Sequence, residues 1–461
     1  MLGLGRSGIG AAKLLCSEGR KVIIIENSNG DKFEKISNEL KNMGAEVNLL
    51  GEPLDFNNFT PWINDIDSVI TSPGIPWDHN ALKALRLKNI HVEGEMALAW
   101  KHLKHIPWIG ITGTNGKTTV SKMLQHVLKN SFVKSDIGGN VGQPMSELAF
   151  NYRSLKAQEP SWLVVELSSF QIESASKVKP SIGIWTNLTP DHLERHGSID
   201  AYSKIKRSLI EKSSTRIYNA DDKYLLDHKS RLPNGIWVTT EKKIQLTNEI
   251  NYWIDDKGII FENERELFNS SILSIRGKHN LQNLLLVIAA ARKIGIHEKF
   301  IAKGVASFKG VAHRLESIGK FESSEIFNDS KATNFQSSSI AIQSVPGPSI
   351  LIAGGQAKEG DPTEWLAQIN KNTCAIILFG SSAQKFQYLI QSSGYKYEVI
   401  LTEFMEEALI KSFELAIRLN AKSILLSPAC ASFDQYISFE KRGEHFKGLV
   451  KDFLESKESK F

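Results

Sequence analysis

Trp108-Ile109-Gly110-Ile111-Thr112-Gly113-Thr114-Asn115-Gly116-Lys117-Thr118-Thr119 is the stretch whose reading decides the fold. Trp108 to Ile111 is an apolar run of strand character. Val120 to Val127, beyond the turn, carries the apolar spacing of a helix. Strand, glycine-rich turn, lysine, hydroxyl and helix in that order make a phosphate cradle. Backbone N–H groups of the turn and of the first helical turn point at anionic oxygens. Gly113, Thr114, Asn115, Gly116, Lys117, Thr118 and Thr119 are the candidate phosphate-binding residues, with Lys117 reaching the outer phosphates and the Thr118 hydroxyl placed for Mg²⁺. Ile111 stands where the strict G-x-x-x-x-G-K-[ST] pattern has its first glycine, so the flanking strand and helix carry part of the assignment. The expected ligand is a nucleoside triphosphate.

Working outward, 461 residues suggest about three domains. A net charge of +5 spread over interspersed acids and bases lacks the clustering of a nucleic-acid footprint. No apolar run reaches membrane-spanning length and no signal peptide precedes the first strand. Cys16, Cys374 and Cys430 lie far apart without a CxxC, which argues against a zinc site or disulfide framework and for reduced thiols. Cys430 reads as a small packing residue. The expectation is a soluble, cytoplasmic monomer that binds neither nucleic acid nor membrane.

The chain opens with Met1-Leu2-Gly3-Leu4-Gly5-Arg6-Ser7-Gly8, a helical pattern from Ile9 to Leu15, and a strand from Lys21 to Glu26. Gly3, Gly5 and Gly8 satisfy G-x-G-x-x-G, with Glu26 placed as an acidic ribose ligand. This alone is compatible with a dinucleotide, another nucleotide, or tight strand-to-helix packing. Only Met1 and Leu2 precede Gly3, against about five residues in an ordinary buried strand, so the first strand is expected to be shortened or to start upstream. Ser68 to Thr71 is a further strand, ending in the loop Ser72-Pro73-Gly74-Ile75-Pro76. Val92 to His105 reads as a helix and hinge.

After the phosphate loop come strands at Trp162 to Glu166, Ile182 to Thr186 and Ile217-Tyr218, which imply a largely parallel sheet. Ile236 to Phe268 reads as short antiparallel strands with a turn at Asp255 to Gly258, followed by a helix from His279 to Ile294. A third α/β unit begins near Gly310, with strands at Ile326-Phe327, Ile350 to Ala353, Ala375 to Phe379, Glu398 to Ile400 and Ser423 to Leu426. The expected architecture is α/β in three domains. Residues 1–97 form a Rossmann-like domain, 98–309 a P-loop-type ATPase sheet with a small antiparallel section, and 310–461 a second Rossmann-like domain.

Polar chemistry gathers at strand ends. Glu166 ends an apolar strand beside the phosphate loop, where a carboxylate suits Mg²⁺. Asn187 to His196 brings His192 and several carboxylates to a second strand end. His192 could ligate a metal, touch an anionic substrate, or be structural. Lys204, Lys206 and Arg207 lie on the helix that follows, and residue chemistry does not choose among them. His313-Arg314 sits at a junction where Arg314 could neutralise a transferring phosphoryl group. The loops Asn328 to Asn334, Gly354 to Lys358 and Ser427 to Tyr436 all follow strands and would line one edge of one sheet, a binding edge for an anionic, hydroxyl-bearing ligand.

Thr112 to Thr119, Glu166-Leu167-Ser168-Ser169-Phe170-Gln171, Asp191-His192, Gly277-Lys278-His279-Asn280 with Asn283, and His313-Arg314 resemble, in order, the motifs of the Mur ligase family. Asp329-Ser330-Lys331-Ala332-Thr333-Asn334 and Ser427 to Gln435 resemble those of its D-glutamate-adding member. The resemblance implies ATP-dependent amide ligation: the carboxylate of UDP-N-acetylmuramoyl-L-alanine is phosphorylated to an acyl phosphate, which the amine of D-glutamate then captures. It also implies two Mg²⁺ ions and a carbamoylated lysine, Lys206 on the spacing Tyr202-x-x-x-Lys206, with Lys204 a near competitor. By the same resemblance Lys117, Glu166, His192, Lys206 and Arg314 are catalytic, and Thr118, Glu166, His192 and Lys206 serve the metals. Asn280, Asn283, Arg314, Asp329 and Lys331 join the phosphate loop at ATP. Arg6, Ser7, Glu26, Asn27, Ser72, Pro73, Gly74, Asn140 and His192 lie toward the UDP-substrate. Thr333, Lys358, Ser432 and Phe439 receive D-glutamate. Glu26-Asn27-Ser28 is a looser match to the usual uridine-contacting turn, so an impaired first domain would weaken the UDP-substrate and spare the ATP site. A sister ligase such as a folylpolyglutamate synthase is the alternative. An NAD-dependent enzyme built on Gly3, Gly5 and Gly8 leaves the phosphate loop unexplained.

Overall fold

In a computed structural model that describes residues 1–30, 33–154, 157–241 and 250–458, Trp108–Thr112 is buried at every position and lies inside a nine-stranded sheet. Across that sheet the strands run Arg265–Asn269, Ile259–Glu262, Ile250–Ile254, Ile236–Thr239, Thr215–Asn219, Ile182–Trp185, Trp108–Thr112, Trp162–Glu166 and Ser135–Gly139. Strands buried on both faces read as unbroken apolar runs, which explains why Trp162 to Glu166 and Ile182 to Trp185 were legible. Parallel pairing sets their carboxyl ends side by side, with Ile111 opposite Glu166 and Thr112 opposite Trp185.

The expectation of antiparallel strands from Ile236 to Phe268 needs correction in part. Ile236–Thr239 pairs parallel with both Thr215–Asn219 and Ile250–Ile254, and only the last three strands form an antiparallel meander. Residues 242–249 of that span lie outside the described residues. The parallel pairing extends the main sheet by one register, a long-range choice that local turn signals do not encode.

The chain forms two compact units, Met1–Ser274 with Lys278–Phe308, and Ile275–Gly277 with Lys309–Phe461. In the first, Ile23–Glu26 pairs with Glu46–Leu49 and Ser68–Thr71 with His91–Gly94, all parallel. Leu2 bridges the two pairs. Its N–H donates to the Ile70 carbonyl at 2.8 Å, its carbonyl accepts from Ser72 at 3.0 Å, and Gly3 donates to Ile25 at 2.9 Å. The shortened first strand is thus a bridge of one residue. The helix expected from Val92 begins later, at Glu95–Leu103, because His91–Gly94 is a strand. Gly94 sits at the corner, where a Cβ would lie 2.1 Å from the Ser174 hydroxyl oxygen.

The second unit holds a six-stranded sheet in the order Glu316–Phe321, Ser324–Asn328, Ser423–Leu426, Ser349–Gly354, Thr373–Phe379 and Glu398–Leu401. Glu316–Phe321 is antiparallel to its neighbour and the other pairings are parallel. The strands Ser324–Asn328, Ser423–Leu426 and Ser349–Gly354 are adjacent, so the three polar loops that follow them do share one sheet edge.

Candidate functional site

The helix Lys117–Asn130 starts at Gly116, whose φ of 81° is left-handed, a conformation glycine adopts without steric cost. A Cβ there would also come within 2.6 Å of Asn283 Oδ1. Asn283, which flanks the turn, donates to Asn280 Oδ1 at 3.2 Å, and both amides are buried. Lys117 Nζ donates to the Gly113 and Thr114 carbonyls at 2.8 and 2.7 Å, which folds the ammonium back over its own loop. The loop is braced from the next strand end. Thr114 N–H donates to the Asn187 carbonyl at 3.1 Å, Asn115 N–H to Asn187 Oδ1 at 2.8 Å, and Thr186 Oγ1 to the Asn115 carbonyl at 2.6 Å. Thr186 and Asn187 are therefore positioning residues that sequence reading did not assign.

Beside this loop the first unit carries an open cavity of about 530 Å³. Of the expected site residues, Arg6, Ser7, Pro73, Gly74, Lys117, Asn140, His192 and Lys206 line it. Gly139, Pro144, Ser168, Ser169, Phe170, Gln171, Asp191, Arg195 and Tyr202 complete the wall. Glu26, Asn27 and Ser72 are not among the lining residues. Glu26 accepts from the Leu4 and Ser28 N–H groups at 2.6 and 3.0 Å, and Ser72 Oγ donates to Gly3 at 3.3 Å. These side chains bond to backbone at the corner of the N-terminal sheet.

Glu166 is 1% exposed. Its Oε1 accepts from Asn140 Nδ2 at 2.7 Å, and its Oε2 is buried without a hydrogen-bond partner. A buried carboxylate oxygen lacking a donor is costly unless a cation meets it, so Glu166 suits a metal ligand. Among the described residues no three His, Cys, Asp or Glu cluster to cage a metal. A cation here would take one carboxylate, a hydroxyl such as that of Thr118, and nucleotide oxygens, a donor set usual for Mg²⁺.

The helix Ile199–Glu211 places its two lysines in opposite surroundings. Lys204 is exposed and Lys206 is 1% exposed, as expected for residues roughly 200° apart around a helix. Lys206 Nζ donates to the Gly113 carbonyl at 2.9 Å and stands 4.3 Å from the centre of the Tyr202 ring. Burial first, and then the Lys117 charge, hold its pKa well below the usual lysine value, against a smaller opposing pull from Asp191. Tyr202 in turn approaches Thr114 Oγ1 at 3.4 Å.

His192 takes a left-handed conformation, with its side chain 46% exposed and its nitrogens 3.6 and 3.5 Å from Asp191 and Glu194. His196 was not singled out from the sequence. Its Nε2 lies 2.9 Å from Ser169 Oγ and its ring stacks between Phe170 and Tyr202, each 5.2 Å away. Burial lowers its pKa, which favours the neutral imidazole. Ser168 caps the helix Ser169–Glu173 in a capping box with Gln171.

In the second unit Asp329 accepts from Leu315 N–H at 3.0 Å and Ser427 Oγ at 2.9 Å, and burial raises its pKa to about 7. Lys331 Nζ stands 3.9 Å over the Phe439 ring, and Ser330 Oγ donates to the Phe439 carbonyl at 2.8 Å. Ser432 is buried. The structure thus ties Asp329 to Ser427 and Lys331 to Phe439, while Arg314, Thr333, Lys358 and Ser432 lie on loops of the same unit. Cys430 is fully buried with its thiol pushed up to about 12 by burial, the state of an inert packing residue.

The Mur ligase middle domain matches residues 111–291. The UDP-N-acetylmuramoylalanine–D-glutamate ligase of Prochlorococcus marinus strain NATL2A is 55% identical over 453 residues, 98% of this chain and 97% of that one. The same-named protein of Prochlorococcus marinus strain MIT 9313 is 48% identical over 454 residues, 98% of this chain and 98% of that one. Among solved structures, UDP-N-acetylmuramate–alanine ligase from Thermotoga maritima superposes with a TM-score of 0.60 at 18% identity, covering 99% of this chain and 98% of that one, a likeness of fold. On the strength of the full-length identity, this chain belongs to the Mur ligase family.

Proposed function

We propose that this chain adds D-glutamate to UDP-N-acetylmuramoyl-L-alanine at the expense of ATP, in peptidoglycan precursor synthesis. The observation that carries this reading is 55% identity over nearly the whole chain to a ligase of that name. The adjacent loops Asn328 to Asn334 and Ser427 to Gln435 on one sheet edge support it. In this reading residues 1–97 hold the UDP-sugar, 98–309 the nucleotide and 310–461 the amino acid. The protein is a cytoplasmic monomer that engages neither nucleic acid nor membrane. No helix among the described residues is long and apolar enough to cross a bilayer.

A carboxylate is a poor electrophile, and phosphorylation gives it a leaving group. One carboxylate oxygen of the UDP-substrate attacks the γ-phosphorus, the bond to ADP breaks, and an acyl phosphate forms. The D-glutamate amine then attacks the acyl carbon and phosphate departs. Gly113 to Thr119 cradle the phosphates, and Lys117 exchanges its loop carbonyls for phosphate oxygens. Arg6, Ser7, Pro73, Gly74 and Asn140 position the UDP-substrate. His192 orients its carboxylate. Mg²⁺, two ions in this reading, would neutralise charge built up on the phosphoryl group. Glu166, Thr118, His192 and a carbamoylated Lys206 would hold them. Carbamoylation needs a neutral amine on an inward-facing lysine, and the burial of Lys206 beside Gly113, with its pKa held down, supports that assignment. Asn280, Asn283, Arg314, Asp329 and Lys331 contact ATP. Thr333, Lys358, Ser432 and Phe439 receive D-glutamate.

The test is phosphate release with UDP-N-acetylmuramoyl-L-alanine, ATP and Mg²⁺ against a panel of amino acceptors. Release that requires D-glutamate is the expected result. Release independent of D-glutamate, or selective for another amino acid, overturns the reading.

A further inference from the structure

Arg442 is the largest charged side chain that the second unit buries completely, at 0% exposure, and the ligation chemistry does not use it. It lies in the first turn of the helix Phe439–Glu458. Its guanidinium makes four hydrogen bonds to two of the loops on the sheet edge. Nε donates to Ser330 Oγ at 3.0 Å and one Nη to the Ser330 carbonyl at 2.8 Å. That same Nη also donates to the Cys430 carbonyl at 3.0 Å, and the other to the Ala431 carbonyl at 3.2 Å. A third loop is tied in through Ala431, which exchanges both backbone hydrogen bonds with Gln356 at 2.9 Å. The Ser330 hydroxyl, which accepts from Arg442, donates to the Phe439 carbonyl at the start of the arginine's own helix.

Burying a cation is tolerated only when its donors are met. Here the acceptors that meet them belong to the segments carrying Thr333 and Ser432, the second of these is paired through Ala431 with the segment carrying Lys358, and the helix that carries the arginine begins with Phe439. A planar fork with donors at fixed angles fixes the relative position of the segments it spans, which a flexible ammonium cannot do. We propose that Arg442 is the positioning residue for the amino-acid acceptor: it holds the three loops and Phe439 in the one arrangement that selects D-glutamate. The proposal rests on the acceptor assignment made under Proposed function. Asp329 and Lys331 have other anchors, the Leu315 N–H and Ser427 Oγ for the first and a backbone bond from Lys331 N–H to the His313 carbonyl at 3.0 Å for the second. The nucleotide contacts are therefore less exposed to a change at residue 442.

Arg442→Lys keeps the charge and loses the fork. Its KM for D-glutamate should rise on the order of 10- to 100-fold, the scale of an ångström-sized displacement, while its KM for ATP moves far less. Its selectivity for D-glutamate over L-glutamate should narrow. A role in stability alone would lower the melting temperature and the active fraction and leave the KM of the surviving enzyme untouched. That pattern overturns the proposal. Ser330→Ala, which removes one hydroxyl with its bonds from Arg442 and to the Phe439 carbonyl but no charge, is the second variant should Arg442→Lys fold poorly. It should raise the same KM in the same direction, and an unchanged KM in a folded Ser330→Ala protein also overturns the proposal. Wild-type turnover is measured alongside. If it does not depend on D-glutamate, the acceptor assignment fails and takes this proposal with it, whereas intact dependence with an unmoved KM in the variants refutes the role of Arg442 alone.

Discussion

Replacing Lys206 by Met should abolish most of the ligase turnover without loosening the fold. The structure shows why the two effects separate. Lys206 Nζ donates to one backbone carbonyl, Gly113, at 2.9 Å. Losing that bond costs about 1 kcal/mol, or up to about 3 if the amine is charged. Against it stands the penalty of burying the ammonium, because the folded-state pKa lies well below the ordinary value of 10.5. The unfolded chain binds this proton more tightly than the folded one, so the penalty is full below the folded pKa and fades as pH rises towards 10.5. Each tenfold loss of proton affinity costs the fold about 1.4 kcal/mol. Met fills similar volume and has no charge to bury, so Lys206→Met should melt at or above the wild-type temperature at neutral pH. Turnover should fall on the order of 10²- to 10³-fold, as when one preorganised electrostatic contact is removed from a reacting centre. Lys204→Met, on the exposed side of the same helix, should change stability by no more than about 0.5 kcal/mol. The assay is phosphate release at saturating substrates with a thermal melt on the same samples. Wild-type enzyme stripped of carbon dioxide should lose activity and regain it with bicarbonate, and Lys206→Met should ignore both treatments. Lys206→Met turnover within about threefold of wild type, under 1 kcal/mol of barrier, would refute the reasoning. So would equal damage in Lys204→Met.

Two further outcomes follow from the same structure. Lys117→Ala removes the ammonium that now bonds to the Gly113 and Thr114 carbonyls; ATP turnover should nearly vanish while circular dichroism stays native, and wild-type-like turnover in the folded variant would sink the assigned role. Asp329 holds its proton up to about pH 7 in the fold against 3.8 unfolded, so the folded state is the better proton binder between those values and stability should fall as pH rises through that window. Asp329→Asn should flatten the fall, read as urea midpoints from pH 4 to 8, by a contribution on the order of a few kcal/mol. Parallel wild-type and variant curves would contradict the buried-carboxylate account.

Much of the fold was legible because its strands are buried on both faces. Trp162–Glu166, Ile182–Trp185 and Ile350 to Ala353 announce themselves as apolar runs closed by polar loops. The N-terminal sheet was harder, since Leu2 contributes one bridging residue and Val92 sits in a strand that abuts a helix without a break. The parallel pairing of Ile236–Thr239 with Ile250–Ile254 is set by the neighbouring strand and leaves no trace in local turns. In the site, the phosphate loop and Glu166 were visible as motifs. Glu26, Asn27 and Ser72 do not line the cavity, and Glu26 is already committed to the Leu4 and Ser28 N–H groups.

By themselves the residues determined that a glycine-rich strand-to-helix turn of the kind that cradles phosphate lies at Thr112 to Thr119, and that polar loops follow the C-terminal strands. Both follow from short-range rules, since a glycine-rich turn and its helix lie within a dozen residues of each other. Only the tertiary structure decided that Lys206 and not Lys204 faces the cavity, that one Glu166 oxygen is left without a donor, and that Arg442 clasps loops about a hundred residues apart in sequence. A helix has a phase but no knowledge of which side meets the core, and a buried polar group finds its partners only when distant segments have packed around it.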